Sequence, residues 1–327
     1  MPQFQTLLMK GYVLAPMLTC PLGLLLGSIL FTQNSGMAQL IPDGTTETQV
    51  QSGIEVQGLP SDLIEGGTVR NSNLFHSFQE FNVDVDRGVY FTTLDGITDI
   101  LTRVTGGNVS NINGTLGVLG DANLFLINPH GIVFGPNARL DLNGAFFGST
   151  AESILFENYE FSTTHLETPP LLTLSVPLGV QMGPNPGAIE VDQAALSVDQ
   201  AFTLAAGVLD IRGDLEAGGD ITLRGQERLL SEATFITGGY FLTQDLEGNH
   251  VDFLIPHENV IRADGDVQIA DYTGSSLYVL AGGQVTVGDG SGSVEITDTG
   301  AGTPSSVTAL LTDGGIAKHF QLSRLPQ

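Results

Sequence analysis

A five-residue unit, glycine followed by aliphatic residues at alternate positions, recurs along this chain at 114–118, 187–191, 207–211, 219–223, 265–269, 283–287 and 292–296. The alternation puts two apolar side chains on one face of an extended strand, and the glycine marks the turn before it. The steps from Gly187 to Gly207 and from Gly265 to Gly283 are 20 and 18 residues, whereas Gly219 to Gly265 spans 46. Short strands and turns recurring at about this length suit a coiled parallel sheet, in which each rung buries its inward side chains against the rungs on either side. The irregular steps imply insertions. A β-sandwich is the competing all-β solution, but it favours tight two-residue hairpins, and few join matched strands here. Other strand-like runs are 89–93, 124–127, 131–134 and 171–176.

Composition agrees with this class. Forty-two glycines, 17 phenylalanines and no tryptophan leave no long amphipathic helix after Ala38. Phenylalanines 75, 78, 81, 91, 125, 134, 146 and 147 are expected to stack inside the coil. Two departures from the repeat are read as excursions: residues 157–170, with Tyr159, Phe161 and Pro169-Pro170, and residues 224–258, read as a hairpin strapped to the side.

The first 38 residues read as a cleavable secretory signal. Lys10 is their only charge, the densest apolar run is 22–31, and Gly36-Met37-Ala38 supplies a small-x-small cleavage site after Ala38. Pro16, Pro21 and Gly23 interrupt the uncharged stretch and weigh against a membrane-spanning helix. A lipidated Cys20 is a weaker reading, because the apolar run continues past it. Cleavage removes one lysine and the single cysteine, leaving 289 residues, no disulfide and a net charge of −26. A chain so acidic, without clustered Lys or Arg, does not have the makeup of a nucleic-acid binder.

The most informative stretch is 123–142. Asn128, Pro129, His130 and Gly131 fit the four positions of a type I turn, with Ile132 opening the next strand. Around it lie Gly66 to Arg70, Asn73 to Phe81, Arg103 to Gly107, Asn123 to Leu126 and Phe146 to Ser153. In these blocks the chain resembles the N-terminal secretion domain of filamentous haemagglutinin-like proteins, the exported partner of two-partner secretion, in its cyanobacterial form. The family signature is Asn-Pro-Asn-Gly-Ile, and His130 stands where the third residue is usually Asn. The resemblance runs from about Pro42 to Phe156 and more loosely through Asn185-Pro186-Gly187.

The resemblance implies an all-β, right-handed single-stranded parallel β-helix (β-solenoid) with N-terminal cap strands and extra-helical hairpins. It divides the chain into a signal (1–38), a two-partner secretion domain (39–156) and a continuation of the coil (157–327). It further implies recognition by an outer-membrane transporter with POTRA domains and a β-barrel; Asn128, Pro129, His130, Gly131 and Ile132, the signature turn, would serve either as a corner that fixes the first rungs or as a direct contact with that transporter. The expected product is a secreted or surface adhesin-like protein that engages a cell-surface glycan or receptor. About 170 residues follow Phe156, fewer than such adhesins usually carry, which leaves open a truncated adhesin or a secreted remnant without binding activity.

Chemistry-bearing patterns are sparse. The six histidines lack metal-ligand spacing except His250 and His257, seven apart, and a zinc site needs three or four ligands. The segment 288–292 is a lone Gly-Asp turn rather than a stacked calcium repeat, and Asn108 and Asn113, though in glycosylation-type sequons, read as turn residues. Parallel β-helices can house carbohydrate-active enzymes, and Asp210, Asp214, Asp220, Asp264 and Asp266 are the carboxylates such a site would draw on. They sit beside turn glycines, which accounts for them without catalysis. Neither an enzyme nor a cofactor or metal site is expected.

Overall fold

The computed structural model describes residues 40–166, 177–246, 253–254, 258–269, 272–274, 276–287, 294–296, 302–310 and 316–324. The leader, Leu171 to Val176, Pro169-Pro170, the turn at 288–292, His250 and His257 lie outside these residues.

The described residues contain strands and turns and no helix. Most strands join one large sheet whose pairings are parallel along its length. The chain is a parallel β-solenoid, and its register can be followed residue by residue. On one face the inward ladder runs Leu74, Ile100, Leu124, Phe146, Phe202, Ile221, Phe241, Val267 and Val285. On a second face Ser110, Ile132, Ile189, Leu209 and Leu229 align. The third face begins as a separate sheet in which Asp62, Val89, Leu116 and Leu140 align, and further along Leu196, Leu215, Phe235, Ile261 and Val279 align. Side chains alternate along each strand, so these ladders bring every second residue into one continuous apolar interior.

Antiparallel strands close both ends. At the start, Leu40–Pro42 and Thr68–Arg70 pair with Asn73–Phe81, and Thr48–Val56 pairs with Leu59–Gly66. At the end, Gly302–Leu310 and Ile316–Arg324 form a hairpin, the second strand of which pairs antiparallel with Ser276–Ala281. Such caps cover the backbone donors and acceptors that an open stack would present to other chains.

One region expected to leave the coil remains in it. Thr234–Thr237 and Phe241–Gln244 are parallel rungs, with Phe235 between Leu215 and Ile261 and Phe241 between Ile221 and Val267. For residues 234–244 the hairpin read at 224–258 is therefore corrected; residues 247–252 and 255–257 lie outside the described residues. The corner glycines 219, 239, 265 and 283 are joined by successive backbone hydrogen bonds of 2.9–3.1 Å, so the 46-residue gap contains an ordinary rung at Gly239. Its inward residues are Phe241 and Thr243 instead of two aliphatics, which hides it from the repeat pattern.

Around residue 157 the chain does leave the stack. Ser153–Phe156, Tyr159–Ser162 and Gly179–Gln181 make a three-stranded antiparallel sheet, separate from the coil's own hydrogen-bonded sheets. It covers the outward face of the first rungs, where Phe75, Leu101, Ile127, Ile154, Phe156 and Phe161 form a second core. Phe75 is thus buried beneath this sheet and not inside the coil. Phe125 and Phe147 are half-buried on the same outward face, 5.4 Å apart, which corrects the expectation that the whole phenylalanine series fills the interior.

Candidate recognition corner

Asn128 to Ile132 forms the corner between the strands Asn123–Ile127 and Ile132–Phe134. Proline fixes φ at the second position and Asn suits the first, so the sequence pre-forms the turn. The Gly131 amide donates to the Asn128 carbonyl at 3.1 Å, which closes it. Gly131 has φ +127°, and a Cβ there would stand 3.0 Å from the Ala188 carbonyl oxygen, so both conformation and packing call for glycine.

The Asn128 side chain is fully buried, and every polar atom on it is engaged. Its Oδ1 accepts from the His130 amide at 3.0 Å, and its Nδ2 donates to the Asn108 carbonyl and Ser110 Oγ at 3.0 and 2.9 Å. The Pro129 carbonyl accepts from Gly187 on the next rung and the Gly131 carbonyl from Ser110 on the previous one. The corner therefore ties three successive rungs together. Ile132 lies in the core, Gly131 is buried, Pro129 is half-buried and His130 is exposed. Of the five positions, Pro129 and His130 are the ones that reach the surface.

Beside the corner is a charge network that the sequence did not reveal. Arg103 is wholly buried at the seam between the coil and the small outer sheet. Its Nε donates to Ser77 Oγ at 2.8 Å, one terminal nitrogen to Thr45 Oγ1 at 2.9 Å and the other to the Ser162 carbonyl, and the guanidinium lies 4.4 Å from the Phe161 ring centre. Ser77 and Thr105 donate to one oxygen of Asp43 at 2.6 and 2.9 Å, and the Thr45 amide and hydroxyl donate to the other at 2.9 and 2.7 Å. Burial raises the Asp43 pKa, but these four bonds together outweigh it and hold the carboxyl below its ordinary range. Burial lowers the Arg103 pKa, opposed by Tyr159 and Asp43. The network joins the first strand of the cap to two rungs and to the outer sheet. Its only hint in the sequence is an arginine among the apolar residues of 99–104.

A second buried polar group is His76, whose Nδ1 lies 3.0 Å from Thr48 Oγ1 and whose Nε2 has no hydrogen-bond partner. Burial alone pushes its pKa down to about 3.

Between the corner and the outer sheet is a cleft of about 290 Å³, bordered by Thr105, His130, Glu152, Thr164 and Asn185 among others. The carboxylates considered for catalysis lie elsewhere and act locally: Asp210 pairs with Arg212 at 2.8 Å, and Asp220 and Asp266 accept from the Tyr240 and Gln284 amides on following rungs at 2.8 and 2.7 Å. Asp214 and Asp264 occupy a strand and a turn along the same coil. Among the described residues no group of three His, Cys, Asp or Glu side chains is arranged to hold a metal ion.

The sequence comparison agrees with this architecture: residues 38–303 match the TPS secretion domain, the two-partner secretion type. The chain belongs to the TPS secretion domain family. The match extends well past Phe156, through most of the solenoid. Similar solved structures include the filamentous haemagglutinin secretion domain, with TM-score 0.42 and 16% identity over 79% of this chain and 99% of that one. Another is the HMW1 secretion domain from Haemophilus influenzae, with TM-score 0.36 and 17% identity over 80% and 85%. Comparison with the curated proteins gives no match. TPS secretion domain proteins are exported across the outer membrane, and membership implies an outer-membrane transporter as the partner.

Proposed function

We propose that this protein is an adhesin-like surface protein without catalytic activity. Its leader, residues 1–38, takes it across the inner membrane. A transporter with POTRA domains and a β-barrel then recognises the folded start of the mature chain and exports it. The observation that carries this reading is the division of labour at the Asn128 to Ile132 corner. Asn128, Gly131 and Ile132 are spent on folding, while Pro129 and His130 face outward from a corner fixed by three rungs. The corner thus acts in two ways, as a brace for the first rungs and as a rigid platform for two contact residues.

Secretion of two variants tests the division. Asn128→Ala should lower both the melting temperature and the amount exported. The double variant Pro129→Ala, His130→Ala should lower export while lowering the melting temperature less than Asn128→Ala does, since the turn proline contributes about 1 kcal/mol or less. Normal export of the double variant would refute contact through these residues. Adhesion is tested separately, by binding of the purified exported chain to glycans and cells; no binding to either would leave a secreted protein without adhesive function.

A further inference from the structure

We infer that the cleft beside the corner receives a basic side chain of the transporter, with the Glu152 carboxylate as its counter-charge. This rests on the transporter reading above and gives that contact its chemistry. Glu152 is a half-buried acid on a backbone held from both sides. Its amide donates to the Gln181 carbonyl at 2.9 Å, and its carbonyl accepts from the Thr163 amide and hydroxyl at 2.8 and 3.0 Å, so both neighbouring strands of the outer sheet fix its backbone. The side chain lies directly against Gly183, where a Cβ would stand 2.2 Å from Glu152 Oε1. The carboxylate is thereby confined to the cleft, and no hydrogen bond or ion pair engages it among the described residues.

The rest of the lining points the same way. Among the described residues no Lys or Arg borders the cleft. Thr105 is committed to Asp43 and the Phe78 carbonyl, and Arg103, the nearest cation along the chain, is committed to Ser77, Thr45 and Ser162. His130 and Asn185 are exposed at the mouth. A fixed, unpaired carboxylate in a concave site attracts a cation, and an arginine or lysine head on a long apolar stem suits a space at the lower end of small-molecule pockets. The wider charge balance, −25 over the chain, favours a basic contact surface on the partner. The cleft shares Pro129 and His130 with the corner, so one docking event would engage both.

The test is equilibrium binding of the full exported chain to its detergent-solubilised transporter, at low and at physiological salt. Glu152→Gln should weaken binding about tenfold and flatten its salt dependence, since a confined charge pair is lost. Glu190→Gln, which removes an exposed acid from a solenoid strand, should leave binding unchanged. Gly183→Ala keeps the charge but displaces the carboxylate, and should reproduce the loss if a melting curve shows the fold intact. Wild-type affinity in Glu152→Gln would overturn the inference while leaving the transporter reading in place. A loss reproduced by EDTA treatment of the wild type would also overturn it, because the occupant would then be a metal ion. Absence of binding by the wild type would overturn both.

Discussion

Arg103 brings a charged group to a place with no solvent exposure, and three hydrogen bonds and an aromatic face keep it there. Lysine is a poor substitute: an ammonium lacks the planar fork that reaches three acceptors at once. Arg103→Lys is expected to lower the melting temperature and to speed amide exchange around Ser162, with the coil's rungs remaining protected. His76 makes a different demand. It must be neutral when folded, with a pKa near 3 against 6.5 when unfolded, so the unfolded chain takes up the proton first as pH falls. The stability it confers is complete above pH 6.5 and declines between 6.5 and about 3, by about 1.4 kcal/mol per pH unit. Asp43, held below its usual range, adds a loss at still lower pH. Denaturant unfolding at pH 7 and pH 5 should show this decline, and His76→Phe should flatten it; an equal decline in that variant would place the acid sensitivity elsewhere. At this scale the sequence is readable where a residue serves its own turn. Asn128 to Gly131 could be read because each residue has a local reason for its position. Arg103 and His76 could not, because their partners lie 26 to 59 and 28 residues away.

The element that most needs explanation is the outer sheet of Ser153–Phe156, Tyr159–Ser162 and Gly179–Gln181. A strand of a solenoid normally buries one face, yet all residues of Asp99–Val104 are buried, since the coil covers one side and the outer sheet the other. Phe161 anchors this cover, edge-on to Phe75 at 4.9 Å and beneath Arg103. Phe161→Ala should cost about 3–5 kcal/mol. The loss should be local: amide exchange should rise at Ile154 and Leu155 and stay slow at Leu124 and Leu126, whose ladder belongs to the other core. Uniform loss of protection would mean that the two cores fold as one. Periodicity shows the rungs because their pattern repeats, and it fails where an equivalent position carries Phe241 and Thr243 in place of aliphatics. It also cannot show which outward residues a distant hairpin will cover. For the same reason Phe75 and Phe147 look alike in the sequence and have different surroundings.

As a whole molecule, the protein is a stack whose contacts run from rung to rung, closed at both described ends by antiparallel strands. Such a chain can form progressively from one end, since each new rung needs only the previous one as a template. This suits export through a pore with the later rungs folding outside onto a start that is already folded. The first cap strand is secured by the Asp43 and Arg103 network together with the outer sheet. The central claim is that a dedicated outer-membrane transporter exports this protein. It is tested most directly by deleting the gene for the POTRA-barrel transporter in the native host and locating the protein by fractionation. The account predicts processed protein in the periplasm and none in the medium or on the cell surface, with export restored when the gene is returned. Undiminished export in the deletion strain would contradict it.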